Sequence, residues 1–265
     1  MKNILVPIGS NTNAIHTLQY AIDFVEGTTA KIYVINVYGV AKAASSMKNI
    51  DTVLEKDSTK ELKEILNSVD KKDVEIISKS IKGNITDSIE RAAKQLHVDL
   101  IISSAKSNST NEKVFLGKIS GSLIKHTDLP VLIVPKEYKY KPILKILMAI
   151  KSGIISSPDV LSPLKMILNK FNANLDLLRV ITPKSNEEDS GIDSELDTFA
   201  SNFTTTKNGT IFQGVLEHLH DTNPDLLCVI RRKRGFFKRL WEKDRVYKKD
   251  FQSNVPLLIL KGISK

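Results

Sequence analysis

A run of cations interleaved with aromatic side chains lies near the carboxyl end of the chain. Between Arg231 and Lys249 it holds ten basic and two acidic residues, which account for eight of the nine net positive charges. Guanidinium and ammonium groups bind phosphate oxygens, and aromatic rings among them can stack on nucleobases. The pattern predicts an anion patch for a polyanion or a single-stranded nucleic acid, formed by Arg231, Arg232, Lys233, Arg234, Lys238 and Arg239.

A structural interpretation of the same run competes with this one and is the one we favour. The cations would lie in a solvated loop, while aromatic residues such as Trp241 anchor the last helix on a sheet. Phe115 stands at the position equivalent to Trp241 in the first half of the chain, which favours packing. Nucleic-acid binding is therefore the minor hypothesis.

Other residues that could do chemistry do not form a recognisable site. Cys228, the only cysteine, lies in the apolar run 226–230, so we expect a buried core residue with a raised pKa. His218 and His220 would point to different faces of a helix, and the other three histidines are isolated. The nucleophile-elbow, zinc-helix and Walker phosphate-loop patterns are absent. We expect no catalytic residues, no metal ligands and a protein that is not an enzyme.

The surrounding sequence alternates short β-branched runs with longer segments of helical periodicity. This order is typical of a doubly wound α/β fold, in which a parallel sheet carries crossover helices on both faces. In the first half, five strands and three helices are predicted: strands 3–6, 31–37, 74–81, 99–103 and 131–134, and helices 12–25, 52–69 and 85–96.

The second half repeats the first. At an offset of 126 residues Gly83 matches Gly209, Pro130 matches Pro256, and the strand 131–134 matches 257–260. The first strands match at an offset of about 142, so the second copy is roughly 17 residues shorter between its second and third strands. The sequence predicts two consecutive domains, residues 1–138 and 143–265, that pair with each other and are joined by a short linker.

The sequence also indicates where in the cell the protein is expected. Its apolar runs are far shorter than the ~20 residues that span a bilayer, so no membrane association is expected. The first residues lack the apolar core of a signal peptide, which leads us to expect a cytoplasmic protein.

The order of the elements, the helix 83–96 that leads into Val98–Ile102, and the closing run 129–135 resemble the universal stress protein family. The run appears again at 255–260, so the resemblance covers nearly the whole chain. It implies two Rossmann-like domains of the adenine nucleotide alpha hydrolase-like type. It also implies a non-enzymatic role in stress adaptation, through a protein partner or a ligand, with homodimerisation left open.

The resemblance further implies where a nucleotide would bind. Family members that bind ATP carry a G-x2-G-x9-G-[ST] loop after the fourth strand, and a backbone contact to adenine falls at the end of the second strand. These positions correspond to Ser104, Ser107, Gly117, Lys118 and Val37. Only one of the three loop glycines is kept, and the family's aspartate after the first strand is replaced within Pro7-Ile8-Gly9. We expect a degenerate site in which no cofactor is firmly implied and ATP or another adenine nucleotide is the alternative.

The second copy is more degenerate. The same register places Ile230, Lys233, Lys243 and Asp244 at the loop positions. A β-branched residue resists the positive φ that a phosphate loop uses, and a carboxylate repels phosphate. We expect nucleotide binding to be lost in the second half.

Overall fold

The computed structural model describes residues 1–9, 13–39, 48–105, 114–155, 157–183, 185, 191–231, 246–247 and 253–262. Along these ranges the predicted strands and helices occur in the predicted order, together with short elements that the sequence does not predict. No helix among them is long and apolar enough to cross a membrane.

The predicted elements of the first half are present, with bounds that differ from the predicted ones by a few residues. Local sequence explains where they begin, as at Asn84, whose side-chain oxygen accepts a hydrogen bond from the N–H of Thr86 at 3.0 Å and caps the third helix. The elements are β1 (Asn3–Ile8), α1 (Asn13–Val25), β2 (Lys31–Tyr38), α2 (Lys48–Asn67), β3 (Ile76–Lys82), α3 (Ile85–Gln95), β4 (Leu100–Ser104), β5 (Val114–Leu116), α4 (Lys118–His126) and β6 (Val131–Val134).

The second half follows the same order. Two of its helices end at an asparagine with a left-handed backbone, Asn172 (φ 48°) and Asn223 (φ 42°), which is a common way to close a helix. The elements are β7 (Lys145–Ile150), a 3-10 turn (Pro158–Leu161), α5 (Ser162–Phe171), β8 (Asn174–Ile181), α6 (Ser194–Phe199), β9 (Ala200–Lys207), α7 (Ile211–Thr222), β10 (Leu226–Arg231), β11 (Val246–Tyr247) and β12 (Leu257–Lys261).

Ten of these strands form one continuous sheet, in the order β3-β2-β1-β4-β6-β12-β10-β7-β8-β9. Each half contributes five parallel strands, which confirms the predicted fold class. The two halves meet where β6 and β12 pair in antiparallel orientation. Leu132 lies opposite Leu258, its own counterpart at the offset of 126, so the pairing places a local pseudo-twofold axis between these two leucines.

The core is shared between the halves. Strand residues alternate between the two faces of the sheet, so Ile4 and Val6 lie in one hydrophobic cluster and Leu5 in the other. Each cluster also contains residues of β10 and β12, and Cys228 of β10 is fully buried, as predicted. Burial raises the pKa of the Cys228 thiol. The halves are thus covered by the same two layers of apolar side chains.

Two equivalent aspartates hold the first strand of each half. Asp99 Oδ2 accepts hydrogen bonds from the backbone N–H groups of Lys2 (2.6 Å) and Asn3 (3.0 Å) where β1 begins. Asp225 Oδ2 accepts the corresponding pair at the start of β7, at 2.9 Å from each nitrogen. The internal repeat therefore extends to individual hydrogen bonds.

The residues between β6 and β7, which include the predicted linker, are packed between the halves. Tyr138 and Tyr140 lie against Tyr20 of α1, with ring centroids 6.3 and 5.4 Å away. The Tyr138 hydroxyl donates to the Asp225 carbonyl oxygen at 3.2 Å, and a ring nitrogen of His16 lies 2.8 Å from the Tyr138 carbonyl oxygen. The residues between β6 and β7 thus contribute to the contact between the halves.

The shortening of the second copy falls where the sequence predicts it. α6 has six residues at the position where the first half has the 20-residue α2. Leu62 and Ile65 of α2 are buried against the sheet, whereas most of β9 is exposed on both faces. Polar residues of β9, among them Thr204 and Thr205, suit this exposure.

Candidate functional site

The candidate site lies at the carboxyl ends of β1 and β4. These strands are neighbours in the sheet, but the chain leaves them toward opposite sheet edges, β1 toward β2 and β4 toward β6. Such a reversal of strand order opens a crevice at the carboxyl ends, and ligands of open α/β sheets bind there. In the first half this point is formed by Ile8 and Gly9 at the end of β1 and by Ser104 at the end of β4.

Helix α4 begins directly above the end of β4. The N–H of Gly117 donates to the Ala105 carbonyl oxygen at 2.9 Å, and the hydroxyl of Ser120 donates to the same oxygen at 2.9 Å. These two bonds fix the first turn of α4 against the strand. Ser120 was not predicted as a site residue, because a serine inside a helix gives no local signal of such a contact.

The start of α4 carries the donors of an anion site. Gly117 is the N-cap and has no side chain to accept a hydrogen bond from the first turn. The first N–H groups of a helix have no partner inside the helix, and the helix dipole places partial positive charge there. A phosphate or carboxylate is the group that such an end binds best.

The structure brings some of the predicted nucleotide residues to one edge of the sheet. Val37 is half-buried near the end of β2, one position beyond the Ile8–Asn36 pair. Ser104 is half-buried at the end of β4, on the other side of β1, and Gly117 is buried at the start of α4. Ser107 lies outside the described residues, as does the side chain of Lys118, whose backbone opens α4.

Two further contacts brace this edge. The N–H of Gly83 donates to the Tyr38 carbonyl oxygen at 3.1 Å, which ties the exit of β3 to the exit of β2. The hydroxyls of Thr86 and Ser122 are 3.0 Å apart and join α3 to α4. The elements around the crevice are therefore held together by hydrogen bonds on the β2 side and on the α4 side.

The second half arranges its corresponding edge differently. The N–H of Gly153, just after β7, donates to the Gly191 carbonyl oxygen at 3.0 Å, and the N–H of Asp193 donates to the Gly153 carbonyl oxygen at 3.0 Å. A Cβ on Gly153 would lie 2.9 Å from the Ile192 Cα. The backbone before α6 is thus in direct contact with the loop that leaves β7, beside the position equivalent to the first-half crevice.

The predicted loop positions of the second half are only partly described. Ile230 is buried within β10, while Lys233, Lys243 and Asp244 lie outside the described residues. Among the described part of the chain, no three His, Cys, Asp or Glu side chains come close enough to hold a metal ion.

The predicted anion patch does not hold for Arg231. Its guanidinium donates to the carbonyl oxygens of Ile124 and Thr127, the latter at 3.1 Å, at the carboxyl end of α4 in the first half. Burial lowers the pKa of Arg231, which nonetheless stays a cation at neutral pH. We therefore remove Arg231 from the patch. The other five patch residues, Arg232, Lys233, Arg234, Lys238 and Arg239, lie outside the described residues.

Comparison with known proteins decides the family. The model of the universal stress protein family matches residues 1–135, which is half of the chain. The chain belongs to the universal stress protein family. No curated protein matches it in sequence.

Solved structures agree on the fold of this universal stress protein over its whole length. The crystal structure of a universal stress protein from Archaeoglobus fulgidus DSM 4304 superposes on this chain with a TM-score of 0.68. The match covers 98% of this chain and 96% of the Archaeoglobus chain, at 17% sequence identity. A functionally unknown protein from Pseudomonas aeruginosa PAO1 is 13% identical, covers 99% of this chain and 93% of its own, and has a TM-score of 0.59. Both halves of the present chain therefore have the arrangement of a known fold.

Proposed function

We propose that this universal stress protein acts in stress adaptation by binding rather than by catalysis. Its ligand is an adenine nucleotide, or a similar phosphate-bearing molecule, held in the first half. The observation that carries the proposal is the start of α4. There, an N-cap without a side chain lies above the end of β4, next to the point where the strand order reverses.

The phosphates are the part of the ligand for which this site is best suited. First-turn N–H groups of α4 donate to phosphate oxygens, and the register of the family loop gives Lys118, a cation, as a further phosphate-binding residue. The residues after β1 are Ile8 and Gly9, which offer no carboxylate to accept hydrogen bonds from a ribose. Such a lost acceptor costs about 1.5–3 kcal/mol of binding. We expect affinity to rise from adenosine to AMP to ATP.

We expect each chain to bind one ligand. The contact of Gly153 with the backbone of Gly191 and Asp193 lies beside the position in the second half that corresponds to the crevice. The Ser120 hydroxyl in the first turn of α4 is hydrogen-bonded to the Ala105 carbonyl oxygen and so stabilises the fold. Together with the loss of the loop glycines in the second half, these contacts favour one binding site per chain.

A pair of isosteric variants tests the site. Asparagine and aspartate are both good N-caps, so Gly117→Asn and Gly117→Asp should leave the helix at least as stable. Only the aspartate places a negative charge where the phosphate binds. We expect calorimetric titration of ATP to show one site in the wild type and at least about tenfold weaker binding to Gly117→Asp than to Gly117→Asn.

The same titration can overturn the proposal. Equal ATP affinity in the Asp and Asn variants would place the phosphates elsewhere. A flat response of the wild type at millimolar ATP, ADP and AMP would remove the nucleotide and leave a protein partner as the ligand. Far-UV circular dichroism and melting temperature of each variant control for the added side chain at a buried position.

Four further predictions from the sequence stay proposals. Polyanion binding would rest on the five remaining cations, Arg232 to Arg234, Lys238 and Arg239. Domain boundaries at 138 and 143, a homodimer and a cytoplasmic location likewise rest on the sequence and the resemblance alone.

A further inference from the structure

Helix α4 of the first half is held at both ends by the second half. At its carboxyl end, the Arg231 guanidinium donates to the carbonyl oxygens of Ile124 and Thr127. Just before its amino end, β5 pairs in antiparallel orientation with β11, and Leu116 lies opposite Val246. Leu116 directly precedes Gly117, so both contacts act on the helix that begins the candidate site.

The Arg231 contact is chemically suited to the end of a helix. The last carbonyl oxygens of a helix have no partner within it, and the helix dipole gives them partial negative charge. A guanidinium is planar, always charged and able to donate two bonds at once. It therefore satisfies two carbonyl groups and fixes the direction of the helix axis.

The equivalent position in the first half offers no such side-chain donor. Ala105 stands at the position of Arg231 in the first half, at the offset of 126, and its side chain has no donor. The backbone of Ala105 instead accepts the bonds from Gly117 and Ser120. One half thus supplies the support and the other half carries the supported helix.

We propose that Arg231 is a positioning residue for the candidate nucleotide site: from the second half it holds the helix whose first turn binds phosphate in the first half. The inference rests on the proposed function for the ligand, but the support of α4 stands on the geometry alone. It gives the degenerate second half a role, because that half maintains a site that it does not itself repeat.

Another cation at the same interface supplies a matched control. Lys170 of α5 donates to the carbonyl oxygens of Phe24 and, at 3.0 Å, Glu26 at the carboxyl end of α1. Arg231 and Lys170 thus cap two different helices of the first half from the second half. If Arg231 acts specifically through α4, the two variants must loosen different helices.

Hydrogen exchange followed by mass spectrometry, on the full chain, separates the two. We expect Arg231→Met to speed exchange roughly tenfold in residues 114–127 and to leave residues 13–26 unchanged, while Lys170→Met does the reverse. Arg231→Lys, which keeps one charged donor, should lie between wild type and Arg231→Met. ATP titration should then show weaker binding to Arg231→Met, by about tenfold, and wild-type affinity in Lys170→Met.

Each outcome decides the inference. Unchanged exchange in residues 114–127 of Arg231→Met, or an equal rise throughout the chain, would overturn the support of α4. Faster exchange there with wild-type ATP affinity would overturn the link to the site. A wild-type chain that binds no ATP would refute the proposed function, while the exchange arms would still decide whether Arg231 holds α4.

Discussion

Gly83 and Gly209 occupy equivalent positions in the two halves but meet different constraints. Gly83 has φ +153°, and a Cβ built on it would lie 2.5 Å from the Ser88 Oγ. At Gly209 the nearest side-chain atom would be 3.7 Å away, an ordinary contact. The same residue type is therefore required by the fold in one copy and tolerated in the other.

This difference predicts the effect of alanine. Gly83→Ala forces a side chain into a rarely populated backbone region and against a buried hydroxyl, so we expect a loss of about 1–3 kcal/mol of unfolding free energy. Gly209→Ala should change stability by less than about 0.5 kcal/mol. Urea denaturation followed by circular dichroism measures both. Similar values for the two variants would mean that the backbone at Gly83 relaxes.

The ionisation of Asp225 makes the stability of the fold depend on pH. Burial acts to raise the pKa of Asp225, but hydrogen bonds from Lys141 and from the backbone of Leu144 and Lys145 outweigh it, so the pKa is lowered. A lowered folded-state pKa stabilises the fold above the ordinary aspartate pKa of about 3.9, and that contribution is lost as pH falls through the folded-state value.

Asp225→Asn removes this charge and keeps the shape. We expect about 1–3 kcal/mol of destabilisation at pH 7, since charged hydrogen bonds to two N–H groups are weakened, and a smaller difference from wild type below about pH 4. Urea denaturation from pH 7 down to pH 3 measures it. Asp99→Asn, at the equivalent position, is the control for the effect of the two backbone bonds without Lys141. A gap between wild type and Asp225→Asn that stays constant with pH would contradict the linkage.

At the scale of elements, the sequence predicts what local patterns encode. The β-branched runs and amphipathic segments place the five strands of the first half and three of its helices within a few residues, because burial on both faces or on one face fixes their composition. The short strands β5 and β11 are not predicted from the sequence. They have three and two residues, and each exists only through its pairing with the other half.

The residues of the candidate site likewise fall into those that the sequence predicts and those that it does not. The register of the family loop predicts Gly117 as a site residue. Its role as the N-cap of α4 depends only on the residues next to it in the chain. The sequence places Arg231 in the anion patch because its neighbours in the chain are cations, yet its hydrogen-bond partners lie 104 and 107 residues away. No local pattern predicts that contact, since it depends on how the two halves are placed.

At the scale of the whole molecule, two domains of a tandem protein usually unfold separately when their interface is small. Here the sheet is continuous across β6 and β12, and both hydrophobic clusters extend through both halves. Removing one half would expose a strand edge and parts of both clusters. The structure therefore predicts one cooperative unit.

Cooperative unfolding is measurable without any substitution, because Cys228 is the only cysteine and is fully buried in β10 of the second half. We expect the urea midpoint of Cys228 labelling to coincide with that of the circular dichroism of the whole chain. The calorimetric and van't Hoff enthalpies should also agree. Labelling of Cys228 at lower urea than the main transition would mean that the second half opens first, and the support of α4 would then be lost before the first half unfolds.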